Sequence, residues 1–331
     1  MNLDFEPDDN ELEAAHVPEK IKPQALKTGC RVGLIAAASR PESPLIFKRC
    51  MQVVEEMGFH PVAGKNVLAN DGFCAGTDQE RLDDFQTFLE DQSISGIFCC
   101  SGGYGALRLL PLLDFGQIRE HPKVFLGSGD NDAILLAINK LTGLVVFHGS
   151  NLDEITDKDT FEALRRTLTA EGAPKQVYCR RPGDMPYEGV AYSLNPRNCS
   201  GDVCGGNLTA LSSLFGTRYQ PELQGKILIL DDFAERNSIL DRWFTTLYLA
   251  GSLKKVSGIA FGGFPNCGPR GSDNMLSIED TFGDRLNEIG TAACFGFRFG
   301  LSRCNDVMPI GIRADLDCDS GVLSYTEAAL S

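Results

Sequence analysis

A candidate nucleophile turn lies at residues 123–132, Lys-Val-Phe-Leu-Gly-Ser-Gly-Asp-Asn-Asp. An apolar, β-prone run opens it, a Gly-Ser-Gly turn follows, and residues 132–138 have helical spacing. In α/β enzymes such a junction lifts one side chain above the sheet, where it can attack a carbonyl carbon. The apex offers Ser128 or Gly129, and only the serine has a side-chain oxygen that could attack. The alternative for Ser128 is that its hydroxyl caps the helix that follows.

Five carboxylates stand beside this turn or beside a later predicted strand, namely Asp130, Asp132, Asp231, Asp232 and Glu235. If they converge, they could bind a metal through oxygen ligands or supply a general acid–base pair. The alternative is separate roles, in which Asp130 or Asp132 caps a helix and Asp232 and Glu235 are solvated charges. We expect no metal and no cofactor.

The sequence contains 4 histidines, of which His148 is the one placed to reach a cleft. It follows the predicted strand 144–147, where a side chain can face the carboxyl edge of a sheet. The others are His16 in an acidic stretch, His60 at the start of a predicted strand and His121 before a proline. His148 is therefore either a candidate catalytic group or a structural or substrate-lining residue.

A glycine-rich turn occupies residues 101–105, Ser-Gly-Gly-Tyr-Gly, between a predicted strand and a short helix. Backbone amides in such a turn can hold an anion or an oxyanion, which makes Gly102, Gly103 and Tyr104 candidate ligand-binding residues. The turn lacks the GxGxxG spacing of a dinucleotide site and the Lys-Ser/Thr ending of a P-loop. We therefore predict no NAD cofactor.

The composition is that of a globular chain with roughly two domains. The chain has 331 residues, of which 43% are hydrophobic and 23% charged, and its formal net charge is -14. The acidic balance argues against nucleic acid or an anionic membrane as the main partner. No apolar run approaches the ~20 residues that a membrane-spanning helix needs.

The N-terminal stretch predicts a flexible extension and no export. Residues 1–19 are acidic and polar and lack the apolar segment of a secretory signal. The 12 cysteines show no CxxC pair and no zinc spacing. We therefore expect reduced thiols and a cytoplasmic protein.

Predicted strands and helices alternate from residue 31, as in a doubly wound parallel sheet covered by helices. In this part the strands are predicted at 31–37, 60–64, 93–99, 123–127 and 144–147, and the helices at 45–57, 81–89 and 132–141. A charged helix at 158–169 follows, and later strands are predicted at 225–230, 256–261 and 309–313. We predict an extension 1–22, an α/β domain 23–150, a connection 151–200 and a second domain 201–331.

Several segments together resemble the LD-carboxypeptidase family, serine peptidases that include murein tetrapeptide carboxypeptidases and microcin C immunity peptidases. They are SGGYGALRLLPLLDF (101–115), KVFLGSGDNDAILLAI (123–138), VVFHGSN (145–151), GGNLTALSSLFGTRYQPELQGKILILDDFAERNSILDRWF (205–244) and GFRFGLSRCNDVMPIGIRADLD (296–317). They occur in the family's order and cover nearly the whole chain from about residue 23. The resemblance implies an N-terminal α/β domain, a β-rich C-terminal domain, an active-site cleft between them and a homodimer.

The resemblance also implies a Ser-His-Glu triad, and none of its members is present. The serine position falls on Gly129, the glutamate position on Asp231 and the histidine position on Leu301, after Gly300. Glycine has no nucleophile, and leucine cannot accept a proton, so the usual acyl-enzyme route is closed. Aspartate is one methylene shorter than glutamate and reaches less far. Gly129, Asn207 and Leu301 remain candidate ligand-binding positions.

These observations favour a non-hydrolytic homologue that binds a peptide or an amino-acid conjugate in the inherited cleft. One alternative is a repurposed enzyme with other chemistry at Asp130, Asp231, His148 or Ser128. Another is a residual carboxypeptidase or amidohydrolase that uses Ser128. Whether any reaction is catalysed, and on which ligand, stays open at this point because function depends on the site and not on the fold.

Overall fold

The computed structural model describes residues 18–169, 172, 176–178, 192–267, 276–300 and 304–331. The strands are β1 (Arg31–Ile35), β2 (His60–Ala63), β3 (Ile94–Cys99), β4 (Val124–Gly127), β5 (Val146–His148), β6 (Val177–Tyr178), β7 (Tyr192–Leu194), β8 (Asn198–Asn207), β9 (Ile227–Asp231), β10 (Gly258–Phe261), β11 (Ala293–Phe295), β12 (Met308–Ile310), β13 (Arg313–Asp317) and β14 (Val322–Tyr325). The α-helices are α1 (Pro44–Glu56), α2 (Asp78–Glu90), α3 (Phe115–Glu120), α4 (Asp132–Thr142), α5 (Lys158–Thr169), α6 (Leu208–Ser213), α7 (Asn237–Leu249) and α8 (Ile278–Ile289). Short 3-10 helices cover Ala106–Leu112, Gly129–Asn131, Leu152–Glu154 and Ser252–Lys254.

The first sheet has the order β12-β5-β4-β3-β1-β2, and strands β1 to β5 are parallel to one another. Its central strands are apolar and buried because helices cover a parallel sheet on both faces. The predicted doubly wound parallel sheet is confirmed.

The second sheet has the order β6-β14-β13-β8-β9-β10-β11-β7 in the described part of the chain. Strands β8 to β11 are parallel, whereas β13, β14, β6 and β7 join antiparallel. Helices α7 and α8 pack on it through a phenylalanine cluster, in which the rings of Phe261 and Phe295 stack at 4.1 Å. The β-rich second half is confirmed.

The single strand predicted at 309–313 is wrong, because the chain turns in the middle of it. Gly311 has φ +95, a backbone conformation that side-chain-bearing residues rarely adopt. The residues before it form β12, which pairs antiparallel with β5 in the first sheet, Met308 opposite His148. The residues after it form β13, which pairs with β8 in the second sheet. One chain segment therefore joins the two sheets.

Residues 18–22 belong to the predicted extension 1–22, and the structure holds them against the rest of the molecule. Ile21 pairs with Leu144 beside the first sheet. Lys20 and Lys22 both form ion pairs with Glu327. Residues 1–17 lie outside the described residues.

The carboxyl ends of four strands bring the candidate site together. The turn 127–129 follows β4, His148 ends β5, Asn207 ends β8 and Asp231 ends β9. Ligand sites in α/β proteins lie outside this edge of the sheet. Within the described ranges, no helix has the length and apolarity to cross a membrane.

Candidate functional site

Gly129 forms the apex of the turn between β4 and α4. Its φ is +66, and a Cβ placed on it would meet no atom within 4 Å. A side chain at this position would therefore point into open space from a strained backbone, which is the geometry of a nucleophile elbow. The turn has that geometry, and its apex residue has no side chain.

Ser128 is buried beside the apex, and its hydroxyl is occupied. Its Oγ accepts a hydrogen bond from Asn151 Nδ2 at 2.9 Å and donates to Glu154 Oε2 at 3.4 Å. Burial raises the pKa of Glu154 to about 8. The capping interpretation of Ser128 is wrong, since its side chain makes no capping hydrogen bond to the following helix. Asn151 and Glu154 were not predicted as site residues, although their spacing is that of a capping box, which they form.

Replacing Ser128 with alanine is expected to destabilise the fold by about 1–2 kcal/mol, because a buried hydroxyl bonded to two side chains is lost. Chemical denaturation measures this change in the free energy of unfolding. Ser238→Ala is the matched control, since Ser238 is exposed at the start of α7, and its effect should stay within about 0.5 kcal/mol. Equal stability of the Ser128→Ala variant and the unmodified protein would contradict the hydrogen-bond assignment.

Asp130 connects the apex to the glycine-rich turn. Its Oδ2 accepts a hydrogen bond from the Ala106 backbone N–H at 2.7 Å, at the start of the helix Ala106–Leu112. Burial raises the pKa of Asp130, while the amides of Ala106 and Gly105 oppose the shift. Asp130 therefore caps a neighbouring helix, a contact that it shares with none of the other predicted carboxylates among the described residues.

The glycine-rich turn is held by close packing. A Cβ on Gly103 would overlap the Ser39 side chain, and one on Gly102 would lie 3.1 Å from Asn151 Nδ2. The Tyr104 backbone N–H donates to Ser39 Oγ at 3.1 Å. The Tyr104 ring is half exposed and meets the Phe73 ring edge-on at 4.9 Å. The turn 101–105 is thus a fixed part of the site.

His148 lies between two aspartates in the centre of the site. Its Nδ1 is 2.9 Å from Asp132 Oδ1, and its Nε2 is 3.1 Å from Asp231 Oδ2. All three side chains are buried, with His148 at 0% and Asp231 at 3% exposure. The Asn207 backbone N–H also donates to Asp132 Oδ2, at 2.8 Å. We call these three side chains the Asp-His-Asp cluster.

The contacts of the Asp-His-Asp cluster fix the charge of His148. Burial by itself would lower the pKa of His148, but the carboxylates of Asp132 and Asp231 outweigh it and raise the pKa well above its usual value. Burial also raises the pKa of Asp132, and the contact with His148 opposes that shift. With an ionised carboxylate on each side, which only accepts hydrogen bonds, each ring nitrogen carries a proton. An imidazolium cannot act as a general base. His148 is therefore a structural cation that joins β5 to β9.

The Asp-His-Asp cluster is also the place where a metal would be considered, since its ligand atoms lie within 4.8 Å of one another. The two nitrogens of an imidazole point in opposite directions, however, and here each faces a different carboxylate. One ion cannot replace both contacts. The arrangement fits a hydrogen-bonded ion pair better than a metal centre.

Asp231 also lies against the segment that precedes Leu301. A Cβ on Gly300 would overlap the Asp231 side chain, so only glycine fits there. Among the described residues, no donor contacts Asp231 Oδ1, although this oxygen is buried. Leu301 itself lies outside the described residues. Gly300 nevertheless packs against Asp231, the residue at the position of the triad glutamate that the resemblance implies.

Asn207 connects the Asp-His-Asp cluster to Asp232, the residue after Asp231. Asn207 Nδ2 donates to Asp232 Oδ1 at 3.0 Å, and the Thr209 hydroxyl donates to Asp232 Oδ2 at 2.7 Å. Burial raises the pKa of Asp232 to about 6. The backbone N–H of Glu235, farther along, donates to Cys267 Sγ at 3.3 Å. Among the described residues, His148 is shared by Asp132 and Asp231, and Asn207 is shared by Asp132 and Asp232.

The fold and the site define a two-domain α/β protein with a nucleophile-elbow turn facing a second sheet. Residues 32–149 match the LD-carboxypeptidase N-terminal domain, and residues 200–316 match the LD-carboxypeptidase C-terminal domain. The chain belongs to the LD-carboxypeptidase family, as its sequence motifs predict.

Relatives and solved structures agree with this assignment. The chain is 33% identical over 297 residues to a Bacillus subtilis protein named "Probable murein peptide carboxypeptidase", covering 89% of this chain and 91% of that protein. It is 28% identical over 312 residues to the microcin C7 self-immunity protein MccF of Escherichia coli, covering 86% and 89%. The structure of MccF in complex with aspartyl sulfamoyl adenosine matches with a TM-score of 0.83 at 25% identity, covering 94% of this chain and 100% of that one.

Proposed function

We propose that this protein is a non-hydrolytic member of the LD-carboxypeptidase family that binds a small peptide or an amino-acid conjugate. The observation that carries the proposal is Gly129, a glycine at the apex of an otherwise intact elbow. Without an attacking oxygen, no acyl-enzyme can form at that position.

Two further contacts support the absence of a replacement nucleophile or base. The Ser128 hydroxyl is held by Asn151 and Glu154, and its described contacts include no histidine. His148 is held as a cation between two aspartates. Neither residue has the freedom that a serine–histidine pair needs for proton transfer.

The ligand class is supported by what relatives bind and by the fixed glycine-rich turn. Structures of MccF contain glutamyl sulfamoyl guanosine and aspartyl sulfamoyl adenosine, which are amino-acid conjugates. In this chain the turn 101–105 has glycines where a Cβ would collide with neighbouring side chains, so the conformation of the turn is fixed.

The cellular setting is part of the same proposal. All described cysteines are free thiols, which supports a reducing compartment such as the cytoplasm. The homodimer that the family resemblance implies stays a prediction.

Calorimetric titration with aspartyl sulfamoyl adenosine and with an L,D-linked tetrapeptide tests the proposal. We expect saturable binding of at least one of them and no product from either, because inherited binding needs no nucleophile. A family member with a complete triad, assayed in parallel, is the positive control for hydrolysis.

Turnover by the unmodified protein would contradict the proposal, and the Ser128→Ala variant would show its source. Hydrolysis that disappears in this variant would identify Ser128 as the nucleophile. Hydrolysis that persists would point to carboxylate chemistry at Asp130 and Asp231. If neither probe binds, the proposed ligand class is wrong.

A further inference from the structure

We infer that the site selects a ligand with an ammonium group, which pairs with Asp231 Oδ1. The inference rests on the proposed binding function and adds the charge of the ligand to it. Four observations about the described residues lead to it: a carboxylate oxygen without a donor, an uncompensated negative charge, further carboxylates nearby, and no basic side chain among their contacts.

The oxygen without a donor is the most specific of these observations. Asp231 Oδ2 accepts from His148 Nε2, whereas Oδ1 is buried and has no described partner. The three atoms nearest to a Cβ placed on Gly300 are Cβ, Oδ2 and Cγ of Asp231. A buried acceptor without a donor is unfavourable, and more so when it is charged. A ligand that brings an N–H donor to this oxygen removes this penalty.

The charge of the Asp-His-Asp cluster is not balanced. Its two carboxylates share one imidazolium, so the cluster carries one net negative charge. This charge lies at the end of β9, next to the candidate ligand-binding residue Asn207. A positive charge would balance the cluster, and an ammonium group supplies both this charge and three N–H donors.

Two more carboxylates add to the negative field. Asp232 directly follows Asp231 at the end of β9, and Glu235 lies three residues farther on, where its backbone N–H donates to Cys267 Sγ at 3.3 Å. The described hydrogen bonds of Asp231 and Asp232 come from His148, Asn207, Thr209 and Phe233, none of which is lysine or arginine. An acidic ligand would meet repulsion here, whereas a cationic one is attracted.

The test uses three sulfamoyl adenosine conjugates that differ stepwise in positive charge. Lysyl sulfamoyl adenosine has a side-chain and an α-ammonium group, norleucyl sulfamoyl adenosine has only the α-ammonium group, and its N-acetyl derivative has neither. We expect that removal of either the side-chain ammonium group or the α-ammonium group raises Kd about tenfold or more, as for loss of a hydrogen bond to a charged group. Glutamyl sulfamoyl adenosine should bind more weakly than the lysyl conjugate.

Variants of Asp231 decide whether this carboxylate is the partner. Asp231→Asn keeps the shape and removes the charge, so the Kd difference between the conjugates should shrink to about twofold or less. Asp231→Glu keeps the charge and should retain the difference. Asp319→Asn, the same charge change in the exposed turn between β13 and β14, is the matched control and should also retain it.

The outcomes separate this inference from the proposed function. Equal Kd values for all three conjugates in the unmodified protein would overturn the inference while binding itself stands, and this comparison needs no variant to fold. A difference that persists in a folded Asp231→Asn variant would also overturn it. Failure of every conjugate to bind would overturn the proposed function as well.

Discussion

Replacing all three substituted positions, in the variant Gly129→Ser/Asp231→Glu/Leu301→His, is expected to raise hydrolysis of an L,D-linked tetrapeptide at least about 10³-fold over the unmodified protein. Triads act as a unit, and a site that lacks any member has only the ~10³–10⁴-fold acceleration over water that binding and the oxyanion hole supply. We therefore expect each single substitution to give much less than the combination.

The structure indicates why serine can be accommodated at the apex. A Cβ on Gly129 meets no atom within 4 Å, so the new side chain would not collide. The backbone at φ +66 costs a non-glycine residue about 1–2 kcal/mol, which a folded protein of this size can tolerate. The glycine-rich turn 101–105 needs no change.

Release of the C-terminal amino acid, followed by chromatography, measures the gain. The control variant is Gly129→Ala/Asp231→Glu/Leu301→His, which has the same backbone strain and no attacking oxygen. A triple variant that folds and binds the tetrapeptide but hydrolyses no faster than this control would contradict the alignment of the three positions.

The His148→Gln variant is expected to lose roughly 3–5 kcal/mol of folding free energy, because removing one partner of a buried ion pair leaves its counter-charge unpaired. Here two carboxylates, Asp132 and Asp231, would face each other without the cation between them. His60→Gln is the matched control, since His60 is exposed on β2, and it should change stability by less than about 0.5 kcal/mol.

The pH dependence of this loss has a definite sign. The folded-state pKa of His148 is raised well above its usual value, so the folded protein binds the proton more tightly than the unfolded chain does. The stabilisation is fully present below the unfolded pKa of about 6.5 and is lost as pH rises through the folded-state pKa. Denaturant titrations between pH 6 and pH 10 should show that the unfolding free energies of the unmodified protein and the His148→Gln variant approach each other as pH rises. A difference below about 1 kcal/mol at pH 6 would contradict a charged His148.

Local sequence patterns predicted most of the fold, since apolar runs and helical spacing identify buried strands and covering helices. The helix predicted at 132–141 is α4, Asp132–Thr142, and the charged helix at 158–169 is α5, Lys158–Thr169. The turn at Gly311 was missed because an apolar run continues on both sides of it. Only the sheet pairing shows that the two halves of that run belong to different sheets.

The site was predictable in position but not in its contacts. Strand ends and family motifs located Gly129, Asp231 and His148, because the carboxyl edge of a parallel sheet collects such residues. The partners of His148 are 16 and 83 residues away in sequence, and no local pattern encodes such a pairing. Asp132 was considered for helix capping, yet the fold directs its carboxylate to His148 and to the Asn207 amide.

The placement of β12 sets an order on the synthesis of this protein. The first sheet has its other strands by residue 148, but its edge strand is Met308–Ile310. At roughly 5–20 residues per second, a ribosome needs at least about 8 seconds to translate the intervening segment. During that interval the β5 edge has unpaired backbone groups, which are a template for pairing with another nascent chain. A chain that stalls before residue 310 is therefore left with an aggregation-prone half.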